Sequence, residues 1–524
     1  DSTQVSITPG KDEMAITINI TEGKRYVVSG VRLEGDFLGK EEEFQSLVRI
    51  RAGQAYNAED VAETVRAFTD YFGSFGFAFA RVDVQPEIDR EQSQVALVLR
   101  AEPSRRAYVR RINVEGNNRT RDEVIRREFR QLEASWYDSD RIRLSRDRVD
   151  RLGFFTQVTI DTQEVPDAPD QVDLVVRVEE KPTGNLSIGA GYSQSEKLSF
   201  VAGIQQENVF GSGNYLGLNL NTSKFNKQFV LSTVNPYFTA DGISRSLDLY
   251  YRTTRPLSEQ EGDYRLVTPG ASIRFGVPFT ETDTVFFGIG AEQTRIEPGN
   301  GLPLAYQQFI DDFGRSATSI PLTVGWARDT RDSALVPTQG RLMRFNGELG
   351  VAGDTRYTKF SGQFQQYIPL SKQYTLAFNA EAGWGKGLGG KPFPLFKNFY
   401  GGGLGSVRGF EQGTLGGRSG LVNDPNTISY IGGSRMVLLN TEIITPFPGA
   451  GNDRTLRMFG FFDIGNVSDD FQNSSKLSDL RASAGIGISW ISPVGPLRIA
   501  YARPVRKFAN DKPQSIQFQI GTSF

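Results

Sequence analysis

The sequence predicts a membrane all-β protein: an antiparallel transmembrane β-barrel of about sixteen strands, preceded by two α+β repeats and the remnant of a third. Large apolar residues alternate with small or polar ones in segment after segment from Gly184 to Phe524. A β-α-α-β-β unit occurs twice before that region. No run of sequence reaches the roughly 18 apolar residues that a helical span requires, and a mean hydropathy of -0.36 is what half-polar spanning strands produce.

Composition narrows the chemistry. The chain has 524 residues, 59 Lys+Arg against 61 Asp+Glu, and a formal net charge of -2, so no basic field is available for nucleic acid. Fifty-six Gly, 37 Phe and 18 Tyr against four Met fit tight turns, strands and aromatic girdles. Cysteine and histidine are both absent. Disulfides, thiolate chemistry, Ser/His/Asp and Cys/His nucleophile systems and the usual zinc sets are thereby excluded, and no GxxxxGK[ST] phosphate loop occurs. The expectation is a protein that is not an enzyme and has no metal or cofactor.

Along the chain, Gln4 to Thr8 and Ala15 to Ile20 read as a hairpin closed by Thr21-Glu22-Gly23. It matches the end of a repeat unit and not its start, so residues 1–22 are expected to be the last part of a unit cut through its middle. The first whole unit, 23–102, opens with a strand at Tyr26 to Gly35, and the second, 103–181, with a strand at Tyr108 to Gly116. In each, a helix follows, then a Tyr (Tyr56, Tyr137) and a second helical run (58–72, 139–152) ending at Gly-Phe. Two strands finish each unit, Ala80 to Glu87 with Val95 to Ala101 and Thr156 to Thr162 with Val172 to Val178. Lys181-Pro182-Thr183-Gly184 marks the boundary to the barrel, 182–524, since Pro and Gly punctuate there and helical periodicity stops.

In the barrel region Leu186, Ile188, Ala190 and Tyr192 hold one parity, as do Leu247/Leu249/Tyr251, Val285/Phe287/Ile289/Ala291, Val437/Leu439/Thr441/Ile443 and Ile516/Phe518/Ile520/Phe524. Successive strand residues face opposite sides, so such rows put apolar groups toward lipid and amides, hydroxyls and glycines toward a watery lumen. A long inserted loop, about 385–429, interrupts the pattern, and long connections of this kind are usually functional.

Inside the loop stands Val407-Arg408-Gly409-Phe410, after Tyr400-Gly401-Gly402-Gly403. With Asn440-Thr441-Glu442, Gly460-Phe461-Phe462-Asp463-Ile464-Gly465 and the terminal Phe524, it resembles the POTRA-barrel family of outer-membrane assembly and translocation proteins over nearly all of the chain. The resemblance implies that the two whole units are the fourth and fifth POTRA domains of such a protein. It implies a location in the bacterial outer membrane with the POTRA domains in the periplasm. It also implies a loop lock made by Val407, Arg408, Gly409, Phe410, Glu442 and Asp463; the strand alternation independently turns both carboxylates to the lumen. Implied partners are unfolded outer-membrane β-barrel clients, accessory lipoproteins of the assembly complex and outer-membrane lipid, with Arg126 and Glu133 on the second repeat's helix matching a lipoprotein contact.

Function then reads as insertion of other β-barrels into the membrane by two devices. POTRA sheet edges offer strand augmentation to a client. A lateral gate lies between the first barrel strand (Gly184, Leu186, Ile188, Ala190, Tyr192) and the last (Ile516, Phe518, Ile520, Gly521, Phe524), with Gly521 permitting a kink that shortens the seam. The alternative is a two-partner secretion transporter that exports a protein through the pore.

Overall fold

A computed structural model describes residues 2–7, 14–19, 24–255, 262–280, 283–333, 336–371, 373–449, 455–469, 476, 478–492 and 495–521. The chain divides into two compact units, Asp1–Pro182 and Thr183–Phe524.

In the first unit, Ser2–Ile7 and Met14–Asn19 pair as an antiparallel hairpin; the expected turn at 21–23 lies outside the described residues. The first repeat is a three-stranded sheet with Gln94–Glu102 in the middle, parallel to Val27–Gly35 and antiparallel to Arg81–Asp89. Its long helix, Ala58–Gly73, starts where the Asn57 side chain accepts the Glu59 N–H, and acidic Glu59 and Asp60 suit its N-terminal dipole. Phe68 and Phe72 recur on one face and pack with Phe37, Phe44 and Leu99, all buried.

The second repeat has the same β-α-α-β-β order, Tyr108–Glu115 running parallel to Ala168–Glu180 and Phe155–Val165 beside it. Two details differ from the sequence reading. The first helix is only Asp122–Arg126, and a two-residue strand, Ser135–Trp136, adds to the Tyr108 edge. Stacking of Tyr108 on Trp136, ring centroids 3.8 Å apart, draws that strand in.

The second unit is a closed barrel of sixteen strands with every neighbour antiparallel, in chain order from Gly184–Ser193 to Ile516–Ile520. The outward rows are the apolar ones: Leu186, Ile188, Leu249, Phe287, Leu439, Ile443 and Tyr501 are all exposed. Among the described residues no helix is long and apolar enough to cross a membrane.

The long loop runs from 388 to 434, between strands Thr375–Gly387 and Arg435–Pro446, a shift from the expected 385–429. Gly385 and Gly387 look like loop glycines in sequence but belong to the strand. A Cβ would sit 2.4 Å from the Phe393 ring at Gly385 and 1.9 Å from the Lys391 carbonyl at Gly387, so the bare backbone lets the loop fold against the wall. The loop is also structured, with a helical turn Leu395–Lys397 and a hairpin Gly417–Gly420/Ile428–Gly432. An unanticipated helix, Leu304–Phe313, follows strand Asp283–Gly301 and buries Tyr306 and Phe309 with Tyr264 and the loop's Ile431.

Candidate functional site

The loop turns back on glycines. Gly402, Gly403 and Gly409 have φ of +100°, +91° and +87°, and a Cβ on Gly402 would lie 2.4 Å from the Glu411 carbonyl. This turn delivers Arg408 to the inner wall, where it is 1% exposed. A guanidinium so far from water needs its donors filled, or the desolvation cost is not recovered. Asp463, on strand Leu456–Ser468, supplies a fork: Oδ1 accepts Nη2 at 2.6 Å, and Oδ2 accepts Nε at 2.7 Å and the Arg408 main-chain N–H at 3.0 Å. Glu442, on Arg435–Pro446, accepts Nη1 and also takes Nη2 of Arg498 at 2.7 Å. The guanidinium lies over the Phe461 ring, 3.7 Å from its centroid.

Register explains why the two carboxylates meet. Asn440 opposes Asp463 and Glu442 opposes Phe461, so Asp463 and Glu442 stand diagonally on one lumenal face while Ile443 and Phe462 point outward. Val407 and Phe410, each fully buried, pack with Leu415 and Leu438 on either side of the Arg. The six residues named for the loop are thus in one cluster. A Lys at 408 would supply a point charge in place of a fork.

The seam is short. Among the described residues, first and last strands pair only as Tyr192 with Ile520 and Ser193 with Gln519, and the Tyr192 and Phe518 rings stack at 5.8 Å. Gly184, Leu186, Ile188 and Ala190 are paired with Gln206, Ile204, Ala202 and Phe200 of the next strand, and Ile516 and Phe518 with Tyr501 and Ile499. None of those six has a register partner across the seam among the described residues. Gly521 ends the strand at φ +81°, and a Cβ there would be 2.5 Å from the Ala190 carbonyl oxygen. Phe524 lies outside the described residues.

Arg126 and Glu133 are placed differently from the sequence reading. Arg126 closes its short helix, but Glu133 is in the turn beyond it. Both brace the neighbouring strand: Arg126 Nη2 donates to the Ile112 carbonyl at 2.7 Å, Glu133 accepts the Ile112 N–H at 2.8 Å, and the two pair at 3.4 Å.

Sequence reasoning missed a second clasp. Lys397, from the loop's helical turn, is 2.5 Å from Glu292 and 2.7 Å from Glu348 on two further strands, with Tyr250 donating to Glu292 and Tyr357 to Glu348. A third node is Asp511, before the last strand, which takes Arg418 and Arg481 at 2.9 Å each. The signal for the Lys397 clasp was available: Glu292 follows Ala291 of an outward row and therefore faces the lumen.

The described residues hold no group of acidic side chains suited to a metal ion. The described site is thus a glycine-turned loop pinned inside the barrel by ion pairs, beside a closure of two register pairs among the described residues.

Residues 208–524 match the model of the Omp85 superfamily domain, and 26–103 and 107–181 each match the POTRA model, described as the surface antigen variable number repeat. The chain is 37% identical to the outer membrane protein assembly factor BamA of Neisseria meningitidis serogroup B, over 100% of this chain and 70% of that protein. It is 30% identical to the factor of the same name from Nitratidesulfovibrio vulgaris, over 97% of this chain and 63% of that one. Among solved structures, that of BamA from Haemophilus ducreyi lacking POTRA domains 1-3 superposes with a TM-score of 0.80 at 28% identity, covering 95% of this chain and 100% of that one.

Proposed function

This chain belongs to the Omp85 superfamily, and from that premise we propose that it folds and inserts β-barrel proteins into the bacterial outer membrane through a gate between its first and last barrel strands. The observation that carries the reading is the two-pair seam. Backbone N–H and C=O groups without partners are costly in hydrocarbon, so an edge that pairs at two positions among the described residues is an invitation to another strand. An incoming client strand would gain main-chain hydrogen bonds whatever its side chains. The barrel sits in the outer membrane and the POTRA repeats in the periplasm, where the edge strand Arg81–Asp89 offers a second augmentation site. The loop held by Arg408, Glu442 and Asp463 acts as the lock that keeps the wall in order between rounds.

Unfolded outer-membrane barrels are the clients, outer-membrane lipid is the solvent they enter, and accessory lipoproteins of the BamB, BamC, BamD and BamE type are partners. Arg126 and Glu133 keep part of their surface exposed beside the strand they brace, which leaves them able to meet such a lipoprotein. No covalent step or nucleotide enters this mechanism. The named relatives favour assembly over the secretion-transporter alternative.

The test uses the full chain in liposomes with an unfolded barrel client. With Ser193→Cys and Gln519→Cys oxidised across the seam, client folding is expected to fall to the level of protein-free liposomes and to return on reduction. Undiminished folding with the crosslink formed would overturn the gate.

A further inference from the structure

The last strand pairs with Gly495–Arg506 at five positions, Leu497 to Tyr501, and with the first strand at two. Its lumenal face makes a third attachment. Gln517 is 2% exposed, and both ends of its amide are taken by the turn that carries Arg408. Oε1 accepts the Gly409 N–H at 3.2 Å, and Nε2 donates to the Phe410 carbonyl at 2.7 Å. Around the amide, the Gln514 N–H donates to the Gly409 carbonyl and the Glu411 N–H to the Lys512 carbonyl, each at 2.9 Å, with Phe410 bridged to Pro513. A carboxylate could not replace this side chain, because it lacks the donor that the Phe410 carbonyl uses.

We propose that Gln517 is a positioning residue that couples the loop to the seam. With the Val407–Phe410 turn seated, the last strand is held in register at Tyr192 and Ile520; with the turn withdrawn, the strand is released. This inference rests on the gate reading above. A parallel route reinforces it, since Glu442 binds Arg408 and also Arg498, and Arg498 is the register partner of Gln519, which shares a face with Gln517. Coupling of two sites acts in both directions, so it is measurable from either end.

Two arms use the full chain in liposomes with amide hydrogen exchange as readout. First, Gln517→Leu keeps the side chain's bulk and removes its hydrogen bonds to Gly409 and Phe410, together with a longer one to Gln514 Oε1 at 3.3 Å. Exchange at 190–193 and 516–521 is expected to accelerate about tenfold, the factor for the loss of one to two net hydrogen bonds, with the Lys197–Gln206 strand unchanged. Second, the native Gln517 chain carrying the oxidised Ser193→Cys/Gln519→Cys crosslink is expected to exchange more slowly at 405–411 than its reduced form. The sequence has no other cysteine to confuse the pairing.

Unchanged exchange at the seam in a folded Gln517→Leu chain, or at the loop in the crosslinked one, overturns the coupling. Should the Leu variant fail to fold, the crosslink arm decides alone. Exchange decides the coupling and client folding decides the gate, so a crosslinked chain that still folds clients refutes the gate without touching the coupling result.

Discussion

Strand Gly184–Ser193 has two edges, and they are built differently. On one side ten register pairs join it to Lys197–Gln206; on the other, two pairs join it to Ile516–Ile520. Lipid would penalise both edges alike for missing hydrogen bonds, so the difference is a property of this closure and not of the strand. What the weak edge lacks in ladder is supplied from inside, by a loop whose Arg408 is pinned to two wall strands and whose Gly409 and Phe410 hold the last strand through Gln517. One edge is held by its own ladder, the other by a short ladder and by loop contacts through Gln517.

The sharpest way to break this comparison is at Asp463, which is fully buried under Arg408. Asp463→Ala leaves the guanidinium with Glu442 alone, and removing one partner of a buried pair costs roughly 3–5 kcal/mol. Loop amides at 405–411 are expected to exchange on the order of a hundredfold to a thousandfold faster, and the seam to follow, while the ten-pair edge keeps its protection. Equal loosening of both edges would mean that the clasp stabilises the whole wall, and the contrast between the edges would be lost.

The asymmetry was partly legible in the sequence. Outward rows such as Leu186/Ile188 are visible because lipid imposes a period of two, and the same parity turned Glu442 and Asp463 toward the lumen. Residues that act through the folded-back loop were not. Parity alone says that Gln517 and Glu348 face inward, but their partners Gly409 and Lys397 lie 108 and 49 positions away in the chain, and nothing local encodes that distance. The glycines misled in one place and informed in another: Gly385 and Gly387 suggested a loop where a strand needed bare backbone, and Gly521 did mark the strand's end.

Gly521 gives the next, smaller effect. Its φ of +81° costs an L side chain about 1–2 kcal/mol, and a Cβ would press on the Ala190 carbonyl at 2.5 Å. Gly521→Ala is therefore expected to loosen the seam and, because the coupling through Gln517 is reciprocal, to loosen the loop by a lesser amount. Exchange should accelerate by about tenfold at 516–520 and by a smaller factor at 405–411. No acceleration at the loop beside a loosened seam would count against the coupling.

The smallest effect sets both barrel edges against an ion pair in the repeat unit. Arg110 donates to Asp173 through Nε at 2.9 Å and Nη2 at 2.5 Å, joining two parallel strands. That hydrogen-bonded fork holds the Asp173 carboxyl below its usual range. A lowered folded-state pKa gives a contribution that is complete above the unfolded carboxylate value, about 3.9, and lost as pH falls through the folded one. Arg110 is well exposed, so the contribution is modest. In urea titrations of the full chain followed by Trp136 fluorescence, the native chain is expected to exceed Asp173→Asn in stability at pH 6 and to converge on it as pH falls through the lowered Asp173 value. Trp136 is the only tryptophan before the barrel, and reporting the signal against chains with the barrel tryptophans replaced isolates it. A difference that persists undiminished at low pH would mean that Asp173 contributes by packing and not by charge. Seam exchange, corrected for the intrinsic pH dependence of the amides, should not follow that titration, because no contact between Asp173 and the clasp is needed to hold the weak edge.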